Sequence, residues 1–271
     1  MINEIRKIGV FIKRDFRVMF TYKLAFSMIF FSMLLNFVSM VLFGSMFKEG
    51  TVPALATYGG DFISYILIGS IGWGFMWSVA SSTSVSLRTE MEIGTIESIL
   101  LTPTSIYTMI LAYTAFGALF GFLSILVLLV AGYGIFGVST FAAISIFTVI
   151  IFILTTIMMM GFAMILGGLT FWIKNIGETT PFIQGVAMLF SGTYFPIIIL
   201  PESLQALAKC LPFYWSIEGL RLSLNPDIQA SELMNYVLIL TIFTILFVAI
   251  GAYALRRGLI KARKDGSLAY Y

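Results

Sequence analysis

The sequence predicts an all-α integral membrane protein with six transmembrane helices, and three observations carry that expectation. Hydrophobic residues make up 59% of the 271 positions and charged residues only 11%, against about 25% charged in soluble domains; the mean hydropathy is +1.01. Apolar runs recur that can supply the ~20 helical residues needed to cross a ~30 Å hydrocarbon core. Basic residues gather at both ends, with Arg6, Lys7, Lys13, Arg14, Arg17 and Lys23 at one and Arg256, Arg257, Lys261, Arg263 and Lys264 at the other, eleven of the 16 in the chain. By the positive-inside rule both termini are then cytoplasmic and the number of spans is even. These cations suit anionic lipid heads rather than nucleic acid.

The first element is a helix over 3–20. Ile5, Ile8, Ile12, Phe16 and Met19 share one face, while Arg6, Lys13 and Arg17 share another with Lys7 and Arg14 beside them. A basic amphipathic helix of this kind lies in the membrane interface, either as a topology anchor or as a docking element. The first span follows at 24–47, too long and too far from the start for a cleavable signal peptide. An external loop with Lys48, Glu49, Pro53 and Gly59-Gly60 leads to the second span, 61–87. The third span is 105–131, closed by an uncharged external turn over 132–137. The fourth lies within 139–172, long enough to tilt, and 172–178 is a short inner loop. The fifth is 180–197. Short external helices occupy 198–222, and the last span, 233–255, runs into the basic tail. The chain reads as a single domain over 1–271.

Between the second and third spans lies a polar island, 88–103, with Glu90, Glu92 and Glu97 against the single Arg88. Gly94 ends the helix continuing from the second span. Thr95 caps a new short helix over 95–102 with Glu97 in its first turn, where the dipole favours a carboxylate. Pro103 stops it. Ile93, Ile96 and Leu100 fall in line on one face, Glu97 and Leu101 on another. The rod is either a solvated loop helix or a handle for another protein.

The second broken region is punctuated by Pro196, Pro201 and Pro212. Pro201 and Pro212 suit the first turns of helices, with Leu204, Leu207 and Leu211 on one face and Glu218 able to pair with Arg221 at i, i+3. Short outer helices that partly re-enter the bilayer fit this pattern, as does an external loop with interfacial aromatics. Gly117 and Gly121 permit close helix approach, for internal packing or a dimer contact. Trp73 and Trp77 share a face as either a substrate wall or packing, and the hydroxyl-rich stretch from Ser78 to Ser86 lines a polar path or a close helix contact. Phe182 and Met188 on the fifth span are further candidates for the path.

The absences narrow the function. The one cysteine, Cys210, allows no internal disulfide, and the lack of histidine removes the commonest general base and zinc ligand. Asp61, Lys174 and Glu178 fall at span ends, whereas an ion-driven carrier keeps ionisable groups at mid-membrane. No phosphate-cradling Gly-x-x-x-x-Gly-Lys-Ser/Thr loop is present, so the chain is no ATPase by that route, and it lacks the Gly-x-Ser-x-Gly elbow of a hydrolase.

Gly94-Thr-Ile-Glu97 followed by Leu100-Leu-Thr-Pro103 resembles the cytoplasmic loop of the ABC-2-type permeases, the membrane subunits of ABC exporters. Ser191-Gly192, Pro196, Pro201, Leu211-Pro212 and Glu218-Gly-Leu-Arg221 resemble the signature near that family's C-terminal end. The likeness covers essentially the whole chain. It implies that the island is a coupling helix docking on a cytoplasmic ATPase, with Glu90, Glu92, Gly94, Thr95, Glu97, Leu100 and Pro103 at or near the contact. It implies external gate helices bearing Gly192, Pro196, Pro201, Pro212, Glu218 and Arg221. It further implies a second permease, either another copy or a homologous one, two ATPase subunits carrying ATP-Mg, and a place in the plasma (inner) membrane, with the second and fifth spans lining the path. A drug or lipid is the cargo the apolar spans suit; polysaccharide or glycolipid export is the alternative within the family, and an ion-coupled secondary carrier the alternative outside it.

Overall fold

The computed structural model describes residues 2–45, 62–136, 144–173 and 176–265, and among them it is helix and turn throughout. The helices are α1 (Ile2–Thr21), α2 (Lys23–Ser45), α3 (Phe62–Ile93), α4 (Thr95–Leu100), α5 (Ile106–Phe136), α6 (Ile146–Thr170), α7 (Ile176–Leu189), α8 (Glu202–Lys209), α9 (Pro212–Ser223) and α10 (Ala230–Asp265). Five of them, α2, α3, α5, α6 and α10, are long and apolar enough to cross a membrane. The predicted loop over 48–60, together with Asp61, Gly137 and Lys174, lies outside the described residues, as does the Glu178 side chain.

Three boundaries differ from the sequence reading. The fifth span, expected over 180–197, is the 14-residue helix α7, about 21 Å at 1.5 Å per residue and so shorter than a hydrocarbon core. It ends in a turn with Gly192 at φ 74°. The turn over 132–137 does not form at its start, because α5 continues to Phe136. No proline interrupts it, and Gly132 lies hard against the Leu67 side chain on α3. The last helix continues as α10 through the basic tail to Asp265, beyond the expected end of the span at 255, whereas α3 ends at Ile93, just before Gly94, as the sequence reading has it.

Small residues set the helix pairing. Gly117 and Gly121 of α5 face Ser82, Ser78 and Phe75 of α3, and Ser78 donates to the Gly117 carbonyl at 2.7 Å. That places Gly117 and Gly121 in an internal, antiparallel seam. A parallel seam joins α6 to α10: Thr244 bonds the Leu154 carbonyl at 3.2 Å, Gly251 lies on Gly161, and Gly258 on Gly168. The contact repeats every seven residues on both strands of the pair. A Cβ at Gly161 would stand 2.6 Å from the Phe247 and Val248 backbone, so these glycines allow the two backbones to touch.

The two ends of the bundle carry separate clusters. One joins Leu87, Met91, Ile96, Met109, Tyr113, Phe171, Leu255 and Leu259, with Phe11 of α1 against it. Both the N-terminal helix and the end of α10 therefore lie at the end that carries α4. The other joins Phe37, Val41, Tyr65, Ile66 and Leu128. From within the bundle α9 runs back out to that far end. Ser223 at its C-terminus accepts bonds from Ser145 and Thr148 at the start of α6, while Phe213 packs 5.4 Å from Phe162, about 25 Å further along α6. With α8 it makes a re-entrant hairpin.

Candidate functional site

The island folds around one backbone feature. Gly94 takes φ 78° and ψ 12°, a left-handed conformation that costs glycine little and other residues more. It turns the chain sharply from α3 into α4. The turn breaks the register across it: Ile96 is buried and Leu100 half-buried, but Ile93, expected in line with them, is 67% exposed. Thr95 does not cap the helix. Gly94 holds the cap position with no side-chain bond, and the Thr95 hydroxyl donates back to the Glu90 carboxylate. The helix ends at Leu100, and 101–103 form a turn.

The acidic residues of the island have different surroundings. Glu90, read from the sequence as part of an outward contact, points inward with 7% exposure. Arg14 Nη1 lies 2.6 Å from its Oε1, and the Tyr113 hydroxyl donates to it at 3.3 Å. Glu92 is exposed and pairs with Arg88 at 2.6 Å, and Glu97 is exposed on α4. The outward face is therefore Glu92, Ile93, Glu97, Ser98 and Leu101, the last 88% exposed. Two bare apolar side chains flanked by carboxylates form a surface that a partner with a basic, apolar groove would cover.

Beneath that face α1 clasps the island at both edges. Lys7 donates to the Pro103 carbonyl at 2.6 Å, and Thr108 donates to Glu4 at 2.5 Å. Further along, Arg14 reaches Glu90 and is also held by Asp15 at 2.7 Å. Burial pushes the Asp15 carboxyl above its ordinary 3.8, with the Arg14 charge opposing the rise; its Oδ2 is buried with no hydrogen-bond partner. The bonds from Lys7 and Thr108 hold the Glu4 carboxyl below its ordinary value. Sequence reasoning assigned Lys7 and Arg14 to lipid and passed over Glu4, Asp15, Thr108 and Tyr113. The available signal was the pair of acids, Glu4 and Asp15, on an otherwise basic helix.

At the opposite end a second polar centre pins the hairpin. Arg221, 4% exposed on α9, donates to the carbonyls of Gly192 at 2.9 Å, Thr193 at 2.9 Å and Tyr65 at 3.3 Å. It stacks 3.6 Å over the Tyr65 ring, with Glu218 at 3.7 Å. The sequence reading placed this pair on external helices and left the interior without ionisable groups. The structure buries both, because the turn after α7 leaves carbonyls outside any helical ladder and a guanidinium satisfies several at once. Pro201 caps α8, Pro212 opens α9, and Pro196 precedes a 3-10 turn at Ile197–Ile199.

Of the four residues proposed for the path, Trp73, Trp77 and Met188 join one apolar cluster and Phe182 stands apart from it. Trp73 is buried, stacked on Trp77 and edge-on to Phe213. Met188 packs against the same core and Phe182 is 72% exposed. An apolar groove of about 420 Å³ lies elsewhere, among Ile68, Phe75, Phe122, Phe152 and Leu220, with Thr148 on its wall. No group of three or more acidic or thiol side chains among the described residues is arranged to hold a metal.

A search of curated proteins finds no match to the chain. The membrane-domain family described as ABC-2 type transporter matches residues 6–225, well over half of the sequence and inclusive of α4 and the α8–α9 hairpin. The chain belongs to the ABC-2 type transporter family, as a multi-pass membrane permease component of an ABC transporter.

Proposed function

We propose that the chain is the permease of an ATP-driven exporter of hydrophobic or amphipathic cargo, a drug or a lipid, and that a separate ATPase drives it through α4. The observation that carries this reading is the surface of α4. It is a short rigid rod that exposes Glu97 and Leu101 at the very end of the bundle, with α1 fastened across its base by Lys7 and Arg14. A push on such a rod passes directly into α3 and α5, which it joins.

Two copies of the chain pair about a two-fold axis and bind two ATPase subunits, which hold the ATP-Mg. Both α1 and the end of α10, which share the end of the bundle with α4, face the cytoplasm of a cell whose plasma membrane holds the complex. The 420 Å³ groove, lined almost wholly by Ile, Leu, Phe and Val side chains, supports an apolar cargo over a polysaccharide. Arg221 does not favour an ion-coupled carrier: its guanidinium is committed to three backbone carbonyls and holds the hairpin in place.

The test is affinity purification of the tagged chain from its own membrane, followed by ATP hydrolysis assays with lipophilic drugs and lipids. An ABC ATPase in stoichiometric amount, stimulated by such cargo, is the expected result. A chain that purifies without any ATPase and supports ion-gradient-driven flux overturns the reading.

A further inference from the structure

A groove of about 660 Å³ lies between the last turns of α6 and α10, lined by Gly168, Leu169 and Trp172 on one side and Tyr253, Arg257, Lys261 and Lys264 on the other. Residues 253, 257, 261 and 264 repeat at helical spacing, so they form one stripe on α10. Lys261 sits 4.6 Å over the Trp172 ring, and Arg257 donates to the Tyr253 hydroxyl at 3.1 Å. No carboxylate lines the groove, and none of the ion pairs among the described residues involves Arg257, Lys261 or Lys264. Three cations thus converge with no counter-charge among the described residues.

The same stripe changes character along the helix. Toward the far end it continues as Tyr253, Ile250, Leu246 and Ile242, all exposed. The surface is therefore a long apolar track that ends in a cationic, aromatic-walled notch. Its occupant has to carry a negative head and an apolar tail, and the depth suits the membrane interface, where Trp and Tyr rings settle.

We propose that this notch is a binding site for the headgroup of an anionic phospholipid, with Arg257, Lys261 and Lys264 on the phosphate and an acyl chain laid along Tyr253, Ile250 and Leu246. The close contact of Gly168 with the α10 backbone forms the floor and fixes the spacing of the walls. The site is separate from α4 and needs no ATPase.

The experiment is native mass spectrometry of the delipidated, detergent-solubilised chain titrated with phosphatidylglycerol, phosphatidylcholine or inorganic phosphate. Phosphatidylglycerol is expected to bind at one saturable site and phosphatidylcholine at least tenfold more weakly, with phosphate failing to displace the lipid. The double variant Arg257→Gln/Lys261→Gln is expected to lose about tenfold or more in phosphatidylglycerol affinity, and Lys23→Gln, remote at the start of α2, to lose none. Equal binding of the two lipids, displacement by phosphate alone, an unchanged double variant or an equal loss in Lys23→Gln each overturns the proposal. Because the readout is binding to the permease alone, a negative result leaves the exporter reading untouched.

Discussion

Arg14 Nη1 stands 2.6 Å from Glu90 Oε1, and this one ion pair fastens the N-terminal helix to the last turn of α3. Glu90 is buried and Arg14 is half-buried, so removing either leaves a charged group short of its partner. Arg14→Ala or Glu90→Ala is expected to cost about 2 kcal/mol, with a coupling energy of about 1–2 kcal/mol in the double-mutant cycle. Thermal unfolding in detergent measures it, and limited proteolysis should cut the released α1 first. Additive single effects would show that the pair does not hold the helix.

Asp15 sets a pH dependence of definite sign. Burial holds its carboxyl above the ordinary value of 3.8, so the folded state binds the proton more tightly than the unfolded chain. The stability it contributes is full below the unfolded pKa and is lost as pH rises through the folded one. Asp15→Asn, which cannot ionise, is expected to match the parent at acid pH and to gain on it as pH rises toward neutrality. A difference in melting temperature that shrinks with rising pH would reverse the sign.

Glu97 is the exposed carboxylate at the centre of the outward face of α4. Glu97→Arg is expected to abolish cargo transport, by about tenfold or more where a charge pair across the interface is inverted, without altering membrane insertion or melting temperature. ATPase co-purification and transport flux are the paired measurements. Full transport together with a normal yield of bound ATPase would remove Glu97 from the contact.

The α6–α10 seam predicts a sharp contrast between glycines. Gly161→Ala places a methyl 2.6 Å from backbone atoms that have no rotamer to change, and overpacking of that kind costs about 1–3 kcal/mol. Gly74→Ala in α3 meets nothing within 4 Å and is expected to be neutral or stabilising, by up to about 1 kcal/mol from helix propensity. Melting temperatures of the two variants in one detergent decide it.

Arg221→Lys tests the clamp on the hairpin. A lysine keeps the charge but cannot reach the Gly192, Thr193 and Tyr65 carbonyls in one plane. The expected loss is about 2–3 kcal/mol, seen as earlier proteolysis within 190–212 than elsewhere. A uniform drop in stability with no local change would assign Arg221 to the core as a whole.

Much of the fold was legible because the signals are local and strong. Apolar length located the five long apolar helices to within a few residues at most ends, Gly94 marked the sharp turn into α4, and Pro212 marked the first residue of α9. The errors have physical sources. The stretch 180–197 is apolar enough for a span, but apolarity does not say where a helix stops, and Ser191-Gly192 turn the chain inside the protein. Glu90 read as a surface acid because its partner, Arg14, lies 76 residues away on α1, beyond any periodicity. The seam was visible as Gly161 and Gly168, then Gly251 and Gly258, each seven apart, but two matched intervals acquire meaning only when the helices are known to be neighbours.

That repeat also limits how the molecule can deform. Sliding α10 along α6 by a residue, or by one helical turn of about 5.4 Å, would drive side chains onto backbone where glycines now meet. The next matching position lies a full repeat away, about 10.5 Å. A slip of that size would tear Phe247 from Phe162 and carry Leu255 away from Phe171. The two helices are locked together like the rails of a ladder, and the strokes of a transport cycle must be taken up by the joints around them, at Gly94, at the turn after α7 and at the hairpin tip.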